Sequence, residues 1–130
     1  MNVDELKANL LSAPWRKYKD VTVEGTTGPV QLVIRRPPDA RVAELLRKAK
    51  EEGLLTEKGE PTSPEAGLRL RARVVALTLF APNAVRPLFT EEEVLEAPFL
   101  PELGDDCTAA LAGTGASLEK LKGNSAATPT

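Results

Sequence analysis

The chain's patterning predicts an α+β domain, mostly helical, with one small N-terminal β-hairpin packed on about four helices. Three observations carry this. A period-2 apolar pattern on both sides of Gly25-Thr26-Thr27-Gly28 reads as a hairpin. Downstream, apolar residues recur at helical spacing between recognisable start and stop signals. Aromatics are scarce, with Trp15, Tyr18, Phe80, Phe89 and Phe99 the full set, so the core must be built mainly from Leu, Val and Ala.

At the N-terminal end, Val3, Leu6 and Leu10 fall at helical spacing and predict a short amphipathic helix over 3–12, ended by Pro14. Val21 and Val23 share one face of the first strand; Val30, Leu32 and Ile34 share one face of the second. The loop between them is expected to take about four residues. Arg35-Arg36-Pro37-Pro38 closes the hairpin, because proline cannot donate to a sheet ladder.

Asp39 is the expected N-cap of the next helix. Val42, Leu45, Leu46 and Ala49 form its apolar stripe, Glu44 and Lys48 pair one turn apart, and Gly53 follows its end. After a polar loop over 56–63, Ser63-Pro64-Glu65 combines a cap, proline at the first helical position and an acid in the first turn. That helix is expected to run to about Phe80, with Leu68, Ala72, Val75 and Leu79 as its stripe, widened by Val74 and Leu77. Its second half is apolar nearly all round, which marks it as the central buried helix; Pro82-Asn83 ends it.

Thr90 and Glu93 make a capping box, and Phe89 with Val94 a hydrophobic staple, at the start of a helix cut short by Pro98. Leu100, Leu103, Cys107 and Leu111 predict a further helix opening near Pro101 and stopping at Gly113. Ser117–Leu121 is expected to form one last turn. Gly123-Asn124-Ser125-Ala126-Ala127-Thr128-Pro129-Thr130 has no apolar anchor and reads as a flexible tail. The expected organisation is a single domain over 1–122 and a tail or linker over 123–130.

Composition narrows function by exclusion. The chain has no histidine, so no Ser-His-Asp or Cys-His site can be assembled, and the commonest metal ligand is missing. With one cysteine it can form no internal disulfide, which fits a reducing cytoplasm. With 17 basic and 19 acidic residues the net charge is −2, against the basic excess that phosphate neutralisation requires of a duplex-binding domain. No apolar run approaches the roughly 20 residues of a membrane span, and the first residues lack a signal peptide's pattern. Neither nucleic acid nor membrane is expected as a partner.

The residues that could carry chemistry have simpler explanations. Cys107 lies on an apolar stripe behind Asp105 and Asp106, which disfavours a thiolate, so it reads as a small core residue. Glu91, Glu92 and Glu93 fill a first helical turn, where the helix dipole favours negative charge, and Asp105 and Asp106 likewise sit early in theirs. Glu51-Glu52 has no EF-hand spacing around it. Gly25 and Gly28 lie in a hairpin turn, not in a phosphate loop. No catalytic, metal or cofactor site is expected. Contact residues are the remaining candidates. Arg69 and Arg73 share a helix face one turn apart, while Arg71 points elsewhere. They read either as a solvated flank or as a basic rim to an apolar protein-binding patch. With Leu77, Phe80, Arg86, Leu88 and Phe89 they make up the candidate partner surface.

The segment Arg86-Pro87-Leu88-Phe89-Thr90-Glu91-Glu92-Glu93-Val94 resembles the tail assembly chaperones of long-tailed bacteriophages, in the branch with an N-terminal hairpin. Other pieces follow in that family's order. These are the hairpin Val21 to Ile34, the helix with Val42, Leu45 and Leu46, and Arg73-Val74-Val75-Ala76-Leu77-Thr78-Leu79. Last comes Leu121-Lys122-Gly123-Asn124-Ser125 with its Ala/Thr/Pro tail. The resemblance covers roughly residues 20–130 and rests on order and spacing. The small-residue run Thr108 to Gly113 stands where the family has a longer helix. The resemblance implies a protein of the infected bacterial cytoplasm, absent from the mature virion. Such a protein coats the tape-measure protein, keeps it soluble, helps recruit tail-tube subunits and self-associates. It also implies a minor frameshifted product for which 123–130 would be the linker. Two rival expectations are a structural head–tail connector or tail completion subunit, and a small DNA-binding regulator.

Overall fold

Strand β1 covers Lys17–Gly25 and β2 covers Gly28–Arg35, antiparallel, in a computed structural model that describes residues 1–112. The connection is tighter than the four-residue loop expected from sequence. Gly25 and Gly28 pair with each other in the ladder, leaving Thr26-Thr27 as a two-residue turn. Gly28 supplies the turn with φ of 129°, a conformation that side-chain-bearing residues rarely adopt. β1 also starts earlier than Val21, at Lys17, and carries a register irregularity between Lys17 and Lys19.

Val21, Val23, Leu32 and Ile34 point from one face of this hairpin into the main core. Val30 belongs to the same period but lies at the turn end of the sheet, where it is exposed. The other face is covered as well, which the alternation did not announce. There Val33 is buried, and the rings of Trp15 and Phe80 meet edge to face with centroids 5.6 Å apart. The Arg35 guanidinium lies 5.7 Å from the Phe80 centroid, and its Nη1 donates to the Trp15 carbonyl at 2.8 Å.

Helix α1 (Val3–Leu11) has a complete capping box: the Asn2 side chain accepts from the Glu5 N–H, and Glu5 accepts from the Asn2 N–H. None of its residues is buried. Helix α2 (Asp39–Glu51) buries the expected stripe of Val42, Leu45, Leu46 and Ala49. Asp39 is its first helical residue and not its cap. Pro38 takes the cap position, since its ring fixes an extended-compatible φ just outside the helix. Gly53 follows the end with φ of 79°.

Helix α3 (Pro64–Thr78) opens as expected, with the Ser63 hydroxyl accepting from the Ala66 N–H. It ends two residues before Phe80. Leu79–Phe80 instead form strand β3, which pairs antiparallel with β2 through Val33–Phe80 and Ile34–Leu79 and completes a three-stranded sheet in the order β1-β2-β3. The physical cause is twofold. Pro82 cannot donate the amide that would continue the helix, and the residue before a proline avoids the helical region. The open edge of β2 then satisfies the backbone of Leu79 and Phe80 while their side chains become fully buried. Of the expected α3 stripe, Ala72, Val75 and Leu79 are buried, and Val74 beside them, but Leu68 is exposed.

Helix α4 (Glu91–Leu95) carries the Thr90–Glu93 capping box, and Val94 is fully buried. Helix α5 (Leu100–Leu111) buries Leu100, Leu103, Cys107 and Leu111 as its spacing predicts, together with Gly104 and Ala110. α3 packs on both α4 and α5, so it is the central helix. Gly104 has a packing reason: a Cβ there would lie 2.5 Å from Cδ and Nη1 of Arg71, whose stem crosses α5 at that point. The expected stop at Gly113, the turn over 117–121 and the tail over 123–130 lie outside the described residues. No helix among the described residues is long and apolar enough to cross a membrane.

Candidate functional site: a mixed-charge groove between α2, α3 and α4

One face of α2, the middle of α3 and the segment entering α4 bound a groove of about 460 Å³. α2 contributes Arg41, Glu44, Leu45 and Lys48, and Glu52 follows at its C-cap; α3 contributes Arg73, Ala76 and Leu77; Pro87, Phe89 and Glu91 close the far side. The helical period explains the set. Positions 41, 44, 45, 48 and 52 share one α2 face, as 73, 76 and 77 share one α3 face. Leu45, Ala76, Leu77 and Phe89 supply the apolar lining. Phe89 is fixed from behind by Phe99, the ring centroids being 5.3 Å apart.

At one end of the groove the charges form a network. Arg73 is only 16% exposed and Glu91 18%; Arg73 Nε donates to Glu91 Oε1 at 2.8 Å and its Nη2 to Glu52 Oε1 at 2.7 Å. Arg69 Nη1 donates to Glu91 Oε2 at 2.8 Å and lies 3.7 Å from Glu92. Burial disfavours the Arg73 cation, yet its hydrogen bonds to Glu91 and Glu52, together with the charges of those carboxylates, outweigh it and raise its pKa. The Arg73 hydrogen bond holds the Glu52 carboxyl below the usual carboxylate range.

These contacts revise two expectations at once. The rim formed by Arg69 and Arg73 is not a basic patch, because Glu91 and Glu52 neutralise it. The acidic triplet is more than a helix start. Glu93 caps, Glu91 binds both arginines, and Glu92 faces solvent. Arg71 does point elsewhere, to Asp105 at 3.2 Å.

Among the other candidate contact residues, Leu77 and Phe89 line the groove. Phe80 does not: it is 1% exposed, facing away beneath Trp15, because β3 turned it onto the outer face of the sheet. Leu88 is 44% exposed, and its N–H donates to the Leu79 carbonyl at 3.1 Å, which holds the 82–88 loop alongside β3. Arg86 is exposed on that loop. Sequence reading missed the α2 side of the groove, Pro87 and the role of Glu91. Arg69 and Arg73 at i,i+4 and an acid in a helix's first turn were both visible, but nothing local says that they meet.

Cys107 is fully buried, and its thiol is pushed up to about 11, chiefly by burial; a hydrogen bond with Thr78 opposes this and the nearby Asp106 charge adds to it. At neutral pH it is a protonated core residue. No group of three or more His, Cys, Asp or Glu placed to hold a metal ion occurs among the described residues. A smaller cleft of about 220 Å³ lies on the other side of α3, between Leu46, Leu55, Pro61, Leu70 and Val74.

No protein-family model, no curated protein and no solved structure matches this chain.

Proposed function

We propose that this protein works by contact rather than chemistry, as a tail assembly chaperone of a long-tailed bacteriophage. It binds the tape-measure protein in the bacterial cytoplasm, keeps it soluble while tail-tube subunits are recruited, and is left out of the mature virion. The groove between α2, α3 and α4 is the observation that carries the reading. Its apolar lining of Leu45, Ala76, Leu77 and Phe89, edged by alternating charges, suits the apolar face of an amphipathic helix. A tape-measure chain offers many such helices before assembly. Weak seats repeated along one long chain add up through effective concentration. The order of hairpin, α2, α3 and the capped α4 is the order on which the sequence resemblance rests.

Co-expression with the tape-measure protein of the same phage tests this. The tape-measure protein is expected in the soluble fraction with the chain present and in the pellet without it. Leu77→Glu, which puts a charge on the apolar lining, is expected to abolish the rescue. Unchanged solubility, or stoichiometric recovery of this chain in purified virions, contradicts the proposal; the second result favours a structural tail component.

A further inference from the structure

Helix α1 is a capped, amphipathic helix with an apolar stripe left exposed among the described residues. Val3, Leu6 and Leu10 lie on that stripe, and Leu10 is 66% exposed. An isolated nine-residue helix is marginal in water, so its stability must come from packing. We infer that α1 seats in the groove between α2, α3 and α4 of a second copy of this chain, the two copies exchanging helices reciprocally. The inference does not depend on the chaperone reading, and purified chain alone tests it.

Two observations select this occupant. The first is dimension. Val3 to Leu10 spans roughly 10 Å along the helix, inside the roughly 16 Å from Arg41 to Glu52 on the groove wall. The second is charge. Glu5 is engaged in the capping box, while Asp4 and Lys7 flank the apolar stripe one turn apart. On the groove wall, Arg41 and Glu44 are also one turn apart with opposite signs. A parallel seat therefore sets Asp4 against Arg41 and Lys7 against Glu44. Arg41 is the groove cation without an ion pair among the described residues, since Arg73 is held by Glu52 and Glu91 and Lys48 lies 4.0 Å from Glu44.

The seat also sets a competition. Another protein's apolar helix enters the groove only where the neighbour's α1 has left, so groove binding and pairing oppose each other.

Sedimentation of the full chain over a range of concentrations reads the pairing. A reversible dimer is expected, and it is expected to be lost in Leu6→Glu/Leu10→Glu, substitutions at exposed positions that leave the fold intact by circular dichroism. Asp4→Arg is expected to weaken the dimer at least about tenfold, the size of a lost, well-placed charge pair; adding Arg41→Asp is expected to restore it. A Leu6→Cys copy mixed with an Ala76→Cys copy is expected to cross-link between chains on mild oxidation, Cys107 being buried and protonated. A wild-type chain that is monomeric throughout overturns the inference, as does self-association that survives Leu6→Glu/Leu10→Glu. A cross-link formed within a single Leu6→Cys/Ala76→Cys chain also overturns it, because α1 would then cover its own groove.

Discussion

Helices α1 and α5 look alike in sequence and differ completely in fate. Both are amphipathic, and α1 even has the better start, with a full capping box at Asn2 and Glu5 where α5 has no side-chain cap. Yet α5 buries six residues and α1 buries none. The difference lies in what stands opposite. α5 faces α3 and β2, whereas α1 is followed by Pro14 and a hairpin whose two faces are already covered. Local signals set where a helix forms. A receiving surface sets whether it belongs to the core, and none of the described residues buries any side chain of α1.

Truncation in the core and in α1 should have opposite consequences. Phe80→Ala removes a fully buried ring from the sheet's outer face and should cost about 3–5 kcal/mol in urea unfolding. Leu10→Ala should stay within about 0.5 kcal/mol at concentrations where the chain is monomeric. A cost above about 1.5 kcal/mol for Leu10→Ala would mean that α1 packs on its own chain.

Next in size is the ion network. Glu91→Ala leaves the part-buried Arg73 with Glu52 alone and leaves Arg69 with only the more distant Glu92. It should lower stability by about 1–2 kcal/mol, between exposed pairs and fully buried ones. The network also sets a pH dependence. The Glu52 carboxyl is held below its ordinary range, so its share of stability is present above that range and is lost as pH falls through the lowered value. Glu52→Gln should therefore flatten part of the acid limb of a denaturation profile.

The two capping boxes give a smaller, matched pair. Thr90→Ala should cost about 1 kcal/mol, because α4 holds Val94 in the core and Phe89 against Phe99. Asn2→Ala breaks the same chemistry in α1 and should leave the monomer's global unfolding unchanged, lowering only helical content by circular dichroism.

Cys107 gives the smallest effect at neutral pH. Its thiol is raised to about 11, so its contribution is complete below the ordinary thiol pKa and is lost as pH climbs towards 11. Subtracting the alkaline profile of Cys107→Ala from that of wild type should isolate that slope. A native thiol that reacts quickly with a disulfide reagent at pH 8 would contradict the burial.

Much of the fold was legible because its signals are local. Ser63-Pro64, the Thr90–Glu93 box, Gly53 and the spacing of Leu100 to Leu111 each act within a turn or two of chain. What was not legible depends on partners distant in sequence. β3 is two residues long and exists only because the edge of β2 is free to pair with it, so no period could announce it. Phe80 was for that reason assigned to a contact surface that it does not reach. The hairpin turn tightened because both glycines could enter the ladder, which the four-residue motif alone does not say. At the groove, the arginine pair and the acidic triplet were each visible and each explained separately. That Glu91 joins them follows from α3 packing on α4.

The central claim is that the groove between α2, α3 and α4 is where this chain meets other proteins. Amide hydrogen exchange on the full chain, alone and with the tape-measure protein, tests it most directly. Added protection is expected over residues 41–52 and 73–91, with α1 exchanging faster as it is displaced from a neighbouring copy. Protection confined to the hairpin, or no change anywhere despite a formed complex, would contradict it.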